Sequence, residues 1–229
     1  MPEGSAVRTM FSGIASRYDL ANRVLSLGLC VGWRNRLVEA VRAAAPSKVA
    51  DLATGSGDVA FALRAALPAS TEVTGYDFCE PMLEIGRRRA QAERAEVGFR
   101  TGDCMGLPIA DGACDAVTVA YGVRNFEDRP RGLRELRRVV RPGGTAFILE
   151  FSQPDAWFAP LHFLHVRCVL PVAAAVLTGD LGAYRYLGTS IAGFPDAPGL
   201  DAELRIAGFA EVTHERMLFG TVALHRARA

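Results

Sequence analysis

Lys48-Val49-Ala50-Asp51-Leu52-Ala53-Thr54-Gly55-Ser56-Gly57-Asp58 reads as a short buried strand, a tight glycine turn and the start of a helix. Val49, Ala50 and Leu52 suit a parallel strand covered on both faces, since such strands are apolar without alternation. Gly55 and Gly57 let the backbone turn sharply and come close to a ligand. Residues 59–67 are mostly good helix formers and Pro68 stops them. Twenty residues beyond Gly57, the run Glu72-Val73-Thr74-Gly75-Tyr76-Asp77 predicts a second strand that delivers a carboxylate at its end. That is the nucleoside-binding half of a doubly wound α/β fold.

Taken alone, the glycine turn has two readings. Gly55-Ser56-Gly57-Asp58-Val59-Ala60 also fits the dinucleotide pattern, with Asp77 where a ribose-binding acid would sit. Asp51, four residues before Gly55, tilts the balance. An anion there repels a pyrophosphate but suits the cationic methionine end of S-adenosylmethionine. The plainer alternative is that Asp51 caps the turn through its own backbone.

Composition narrows the class. With 229 residues there is room for one sizeable α/β domain, and we take 1–229 as that single domain. Lys and Arg number 26 against 25 Asp and Glu, so bulk charge gives no reason to expect a nucleic-acid partner. Five cysteines without a C-x-x-C pair fit a reducing cytoplasm. The longest apolar run, 169–177, contains a proline and falls well short of the ~20 residues that span a bilayer.

Residues 1–46 read as a helical lid in front of the first strand, with Tyr18 and Trp33 as candidates to cover the ligand crevice. Beyond the second strand come a helix over 82–94, a strand over 97–100, a strand over 116–120, a helix over 132–140 stopped by Arg141-Pro142-Gly143-Gly144, and a strand over 145–151. In an open parallel sheet ligands gather outside the carboxyl ends of the strands, which brings Asp51, Asp77 and Asp103 to one rim. Asp77 is assigned to ribose hydroxyls, and Asp103 to the adenine amino group with the Cys104 amide beside it. Residues 154–195 break the alternation as a helical insertion. A helix over 201–207 and two strands, 211–217 and 220–226, close the chain as a hairpin.

With these segments placed, the chain resembles the class I S-adenosylmethionine-dependent methyltransferases, and closely the C-methyltransferases of menaquinone and ubiquinone biosynthesis. The residues that carry this are Phe11-Ser12-Gly13-Ile14-Ala15-Ser16-Arg17-Tyr18-Asp19, the stretch 51–58, Tyr121-Gly122-Val123-Arg124-Asn125-Phe126, Glu150-Phe151-Ser152, Tyr184-Arg185-Tyr186-Leu187 and Gly220-Thr221-Val222-Ala223-Leu224-His225. The resemblance implies a Rossmann-like, seven-stranded doubly wound sheet with an antiparallel last strand, plus the helical insertion. It places S-adenosyl-L-methionine against Ser56, Asp77, Asp103, Cys104 and Ala120, to which the reading of the lid, the turn and the rim adds Tyr18, Asp51, Thr54, Gly55, Gly57 and Phe78. Two positions depart from the pattern: Ala53 stands where methyltransferases at large have glycine, and Ala120 where serine is common in the family.

The implied substrate is a lipophilic polyprenyl quinol, demethylmenaquinol or its benzoquinol counterpart. Methylating its ring requires an electron-rich ring made by losing a phenolic proton. Arg124 is the candidate to stabilise the phenolate, because a guanidinium lowers the cost of ionising it. Asn125 would orient the hydroxyl, and Asp58, acting through a water, leads the candidates for base, ahead of Tyr121, His162 and His165. Tyr121, His162 and His165 are also assigned to the substrate pocket. His162-x-x-His165 has a spacing metals use but no third ligand, so no metal is expected. A lipophilic substrate implies a cytoplasmic protein that meets the membrane surface peripherally, and a homodimer is left open. The rival readings are a methyltransferase of another small aromatic compound, a nicotinamide oxidoreductase built on the same turn, and a cofactor-binding scaffold.

Overall fold

A computed structural model describes residues 28–165, 168 and 188–229. The chain runs α1 (Leu29–Ala43), β1 (Lys48–Leu52), α2 (Asp58–Ala66), β2 (Glu72–Asp77), α3 (Glu80–Glu93), β3 (Gly98–Thr101), β4 (Cys114–Ala120), a single 3-10 turn (Val123–Asn125), α4 (Arg129–Val139), β5 (Val140–Phe151), α5 (Ala159–Leu164), α6 (Ala197–Ile206), β6 (Glu211–Met217) and β7 (Val222–Arg228). The strands form one sheet of seven in the order β3-β2-β1-β4-β5-β7-β6. The first five are parallel, β7 runs antiparallel to β5, and β6 closes the hairpin on β7. This agrees with the expected Rossmann-like sheet.

Strand residues alternate between two apolar layers, as a pleated strand requires. Leu37, Val38 and Val41 of α1 and Leu63 of α2 pack with Val49, Phe147, Leu149 and Leu224 on one face. Leu133, Leu136 and Val139 of α4 and Leu200 and Leu204 of α6 pack with Ala50, Leu52, Val117, Val119 and Ile148 on the other. Trp33 is partly buried against the first layer, so its placement is that of a packing residue. Tyr18 and the Tyr184 to Leu187 segment lie outside the described residues.

Some boundaries differ from the sequence reading. β5 starts at Val140, not at residue 145, because Val140 pairs with Cys114 and the Gly143 amide donates to the Ala229 carbonyl. Long-range pairing there overrides turn residues that read as a stop. α4 and α6 each begin three to four residues earlier than expected, at the same device. Asp128 and Asp196 accept amide bonds from Arg131 and Gly199, with a proline in each first turn where its missing N–H is harmless. Within the expected insertion, α5 and a helical stretch over 188–192 are described.

α6 is fastened to the closing hairpin by one carboxylate. Asp201 accepts from His214 Nδ1 and from His225 Nδ1, both at 2.7 Å. Two groups sharing one metal with bonds of about 2.0–2.1 Å stand farther apart than that, so these are hydrogen bonds rather than a coordination set. Burial lowers the His225 pKa from 6.5. The unfolded chain therefore takes up the proton first, and the stability this residue confers is present above pH 6.5 and declines as pH falls through and below that value. The stability advantage of the native protein over His225→Gln is expected to shrink from pH 7.5 to 5 in thermal melts; an advantage independent of pH would refute the burial of a neutral imidazole at this position.

Candidate active site

The parallel order reverses between β1 and β4, and the crevice at their carboxyl ends is where ligands bind in such sheets. Two loops meet there, 53–57 after β1 and 121–126 after β4. Gly55 and Gly57 have φ of +57° and +93°, and a Cβ on Gly57 would come within 2.6 Å of the Phe99 ring. Both left-handed conformation and lack of space demand glycine at 57. Gly75 is bare for a related reason, since a Cβ there would meet the Thr54 side chain at 2.8 Å.

Asp51 sits beneath the turn and is only 1% exposed. Its Oδ2 accepts from the Thr54 hydroxyl and its Oδ1 from the Thr118 hydroxyl, both at 2.6 Å. Burial nevertheless pushes its carboxyl up to about 6, those hydroxyl bonds only partly opposing the shift. Asp77 is also buried; it accepts from the amides of Gly55 and Cys79 at 2.8 Å and is raised by burial against those bonds and one from Phe78. Phe78 itself is half-buried in the turn after β2, and Ser56 is buried with its carbonyl accepting from Arg89. Asp103, by contrast, is exposed, and its side chain accepts from the Met105 amide. The three carboxylates thus share a rim at three depths. Cys104 is buried, its thiol pushed up by burial, and the Ala53 amide is its backbone partner.

Asp58 opens α2, but both its oxygens are taken: Arg34 Nη1 lies at 2.6 Å and Arg89 Nη1 at 2.9 Å. Each oxygen keeps a further lone pair, so the two arginines narrow access to the carboxylate without closing it. Neither arginine carries a sequence signal, as each comes from a different helix.

In the other loop Ala120 ends β4 opposite Leu149, and Tyr121 turns left-handed with φ +57°. The 3-10 turn then buries Arg124, whose Nη1 donates to the Tyr121 carbonyl at 2.5 Å and to Glu150 Oε1 at 2.8 Å. Asn125 Nδ2 reaches the Tyr121 carbonyl at 3.4 Å. The rings of Tyr121 and Phe151 stand 5.0 Å apart, and the Arg124 guanidinium lies 5.1 Å from the Phe151 ring. Glu150 is the residue that sequence reasoning passed over. The available signal was a charge ending the apolar run Phe147-Ile148-Leu149, because a buried carboxylate needs a partner.

His162 and His165 lie at the end of α5, beside the hairpin tip. Phe158 packs on Phe219 at 4.9 Å and on His162 at 6.4 Å, and burial lowers the His162 pKa. Because β7 is antiparallel, with Val222 opposite Phe151, that tip lies on the same rim as the two loops.

The loops are coupled sterically. Ala53 holds φ +50°, and a Cβ on Gly122 would come within 2.8 Å of the Ala53 Cβ. A left-handed alanine costs about 1–2 kcal/mol. Ala53→Gly is expected to leave the protein as stable or up to about 1 kcal/mol more stable, the relief outweighing the entropy of glycine. Gly122→Ala should destabilise by about 1–3 kcal/mol by overpacking, and by less once Ala53→Gly is present. Additive effects in denaturant melts would disprove the coupling.

The switch-point crevice fits the donor set of S-adenosylmethionine: a turn bare of side chains at Gly55 and Gly57, an anion beneath it for the sulfonium and ammonium charges, and Asp77 for the ribose. Fold and site define an S-adenosylmethionine-dependent methyltransferase of the Rossmann-like class. The same fold occurs in such a methyltransferase of Thermotoga maritima, with a TM-score of 0.66 at 18% identity over 96% of this chain and 98% of that one. It recurs in phosphoethanolamine N-methyltransferase 2 of Haemonchus contortus in complex with S-adenosyl-L-methionine, with a TM-score of 0.59 at 15% identity over 80% of this chain and 38% of that one. The chain belongs to the ubiE/COQ5 methyltransferase family, whose model matches residues 2–229. It is 46% identical to the demethylmenaquinone methyltransferase of Thermus thermophilus over 94% of this chain and 98% of that protein. It is 36% identical to the ubiquinone/menaquinone biosynthesis C-methyltransferase of Geotalea daltonii over 97% and 96% of the two chains.

Proposed function

We infer that the chain methylates a ring carbon of a reduced demethylmenaquinone. The observation that carries this is near-full-length identity of 46% and 41% to two proteins named demethylmenaquinone methyltransferase. When bound, S-adenosylmethionine supplies an electrophilic methyl group. The chain's own residues bind, orient and hold charge.

Asp51 places a negative charge under the turn, and Asp77 offers a buried acceptor beside it. Arg124 stands at the neighbouring loop to stabilise the phenolate oxygen of the substrate as its proton leaves. Asn125 helps hold the Tyr121 carbonyl and with it the loop. His162, half-buried beside Phe158 with burial favouring its neutral form, joins Asp58 as a candidate proton acceptor. Trp157, Leu161, Leu164 and Phe219 are exposed near the hairpin tip and offer an apolar path for the isoprenoid tail at a membrane surface. Among the described residues no helix is long and apolar enough to cross a membrane.

Purified protein incubated with methyl-labelled S-adenosylmethionine and reduced short-chain demethylmenaquinone should transfer label to the ring. A matched benzoquinol is the competing substrate. Transfer to the benzoquinol alone, or to neither while the cofactor binds, would overturn the assignment.

A further inference from the structure

We propose that Glu150 is a positioning residue for the transfer step, its carboxylate setting where Arg124 stands beside the cofactor loop. This rests on the role given to Arg124 above. Through Phe147, Ile148 and Leu149 strand β5 is apolar and no more than 2% exposed; the next side chain is a carboxylate that is itself 0% exposed. Burying such a group is strongly unfavourable unless its lone pairs are matched.

They are matched mainly by one residue. Oε1 accepts from Arg124 Nη1 at 2.8 Å and from the Phe151 amide at 2.8 Å, while Oε2 faces the Arg124 amide at 3.2 Å. Glu150 therefore holds Arg124 at both its backbone and its side chain. The double grip matters because Tyr121, three residues earlier, is left-handed, and a loop carrying such strain keeps it only when its surroundings over-determine it. The anchor is a rigid one, since Glu150 lies in a strand flanked by β4 and β7 and pairs with Ala223. The Phe151 and Tyr121 rings, 5.1 and 5.9 Å from the guanidinium carbon, complete the seat. Glu150 acts through Arg124.

Glu150→Gln keeps the shape and one acceptor oxygen but removes the charge. A displacement of about 1 Å in a group that must meet a developing charge can lower turnover about a hundredfold, and kcat of this variant is expected to fall by that order. Cofactor Kd and quinol KM should stay near native, and Glu150→Asp should recover much of the loss. If Glu150 only supported folding, kcat per cofactor-binding site would be native in both variants, and that result overturns the proposal. Should the native protein methylate no quinol, the reading of the substrate fails first, and Glu150 is then judged by a crystal structure of Glu150→Gln with the cofactor. A guanidinium moved from its native seat supports the anchor, and an unmoved one refutes it.

Discussion

Asp51→Asn is expected to weaken S-adenosylmethionine binding by about a hundredfold while making the ligand-free protein more stable at pH 8. Both effects come from one buried charge. At an effective dielectric near 20, a pair of unit charges several ångströms apart is worth about 3 kcal/mol, roughly a hundredfold in Kd. In the absence of a cation that charge is a liability, because burial lifts the Asp51 carboxyl from 3.8 to about 6. A shift of that size corresponds to about 3 kcal/mol. The folded state holds the proton more tightly than the unfolded one, so stability falls as pH rises from 3.8 to about 6, and above that the full penalty is present. Asparagine avoids the penalty and keeps partners for the Thr54 and Thr118 hydroxyls. Calorimetric titration and thermal melts of both proteins at pH 5 and 8 check this. Native affinity should drop below pH 6 as Asp51 protonates, and that of the variant should not. Equal affinities at pH 8, or no gain in melting temperature there, would refute the electrostatic role.

The second large effect concerns the Arg124–Glu150 pair, whose side chains are 4% and 0% exposed. Removing one partner of a buried pair strands the other and costs about 3–5 kcal/mol. Arg124→Met is therefore expected to lower the melting temperature by roughly 10 °C in a chain of this size and to abolish methyl transfer. Loss of activity alone could then be loss of fold. The double variant Arg124→Met with Glu150→Leu separates the two, since replacing a whole buried pair by apolar groups is often neutral or stabilising. It should regain part of the melting temperature, the Arg124 and Phe151 amides having lost their acceptor, together with cofactor binding but not the transfer. A double variant with near-native turnover would remove Arg124 from the chemistry.

Much of the sheet was legible from the chain because its strands obey local rules. The spans of β2 and β6 were read to the residue, the first from its acid at a strand end, the second from its place in a hairpin. The start of β5 was missed because Pro142, Gly143 and Gly144 carry turn signals, whereas their pairing depends on Cys114 and Ala229, far along the sequence. The helix starts at Asp128 and Asp196 were readable in principle, since each is an acid followed two residues later by proline. At the candidate site, the switch-point loops and the carboxylates at strand ends followed from topology. What topology could not supply was depth: Asp51 lies buried, Asp103 exposed, and Asp58 engaged by two arginines from separate helices. Such pairings are decided by packing between elements, which no local pattern records.

The contact between Ala53 and the bare backbone of Gly122 bears on how this sequence could have been reached. The two positions, 69 residues apart, compete for the volume of one methyl group. With glycine at 53, a methyl group at 122 would still press on Val119 Cγ1 at 3.0 Å but would be spared the tighter clash. With alanine at 53 the clash is complete, so the cost of one and the same substitution at 122 depends on which residue stands at 53, and the two sites are not free to change in either order at equal cost.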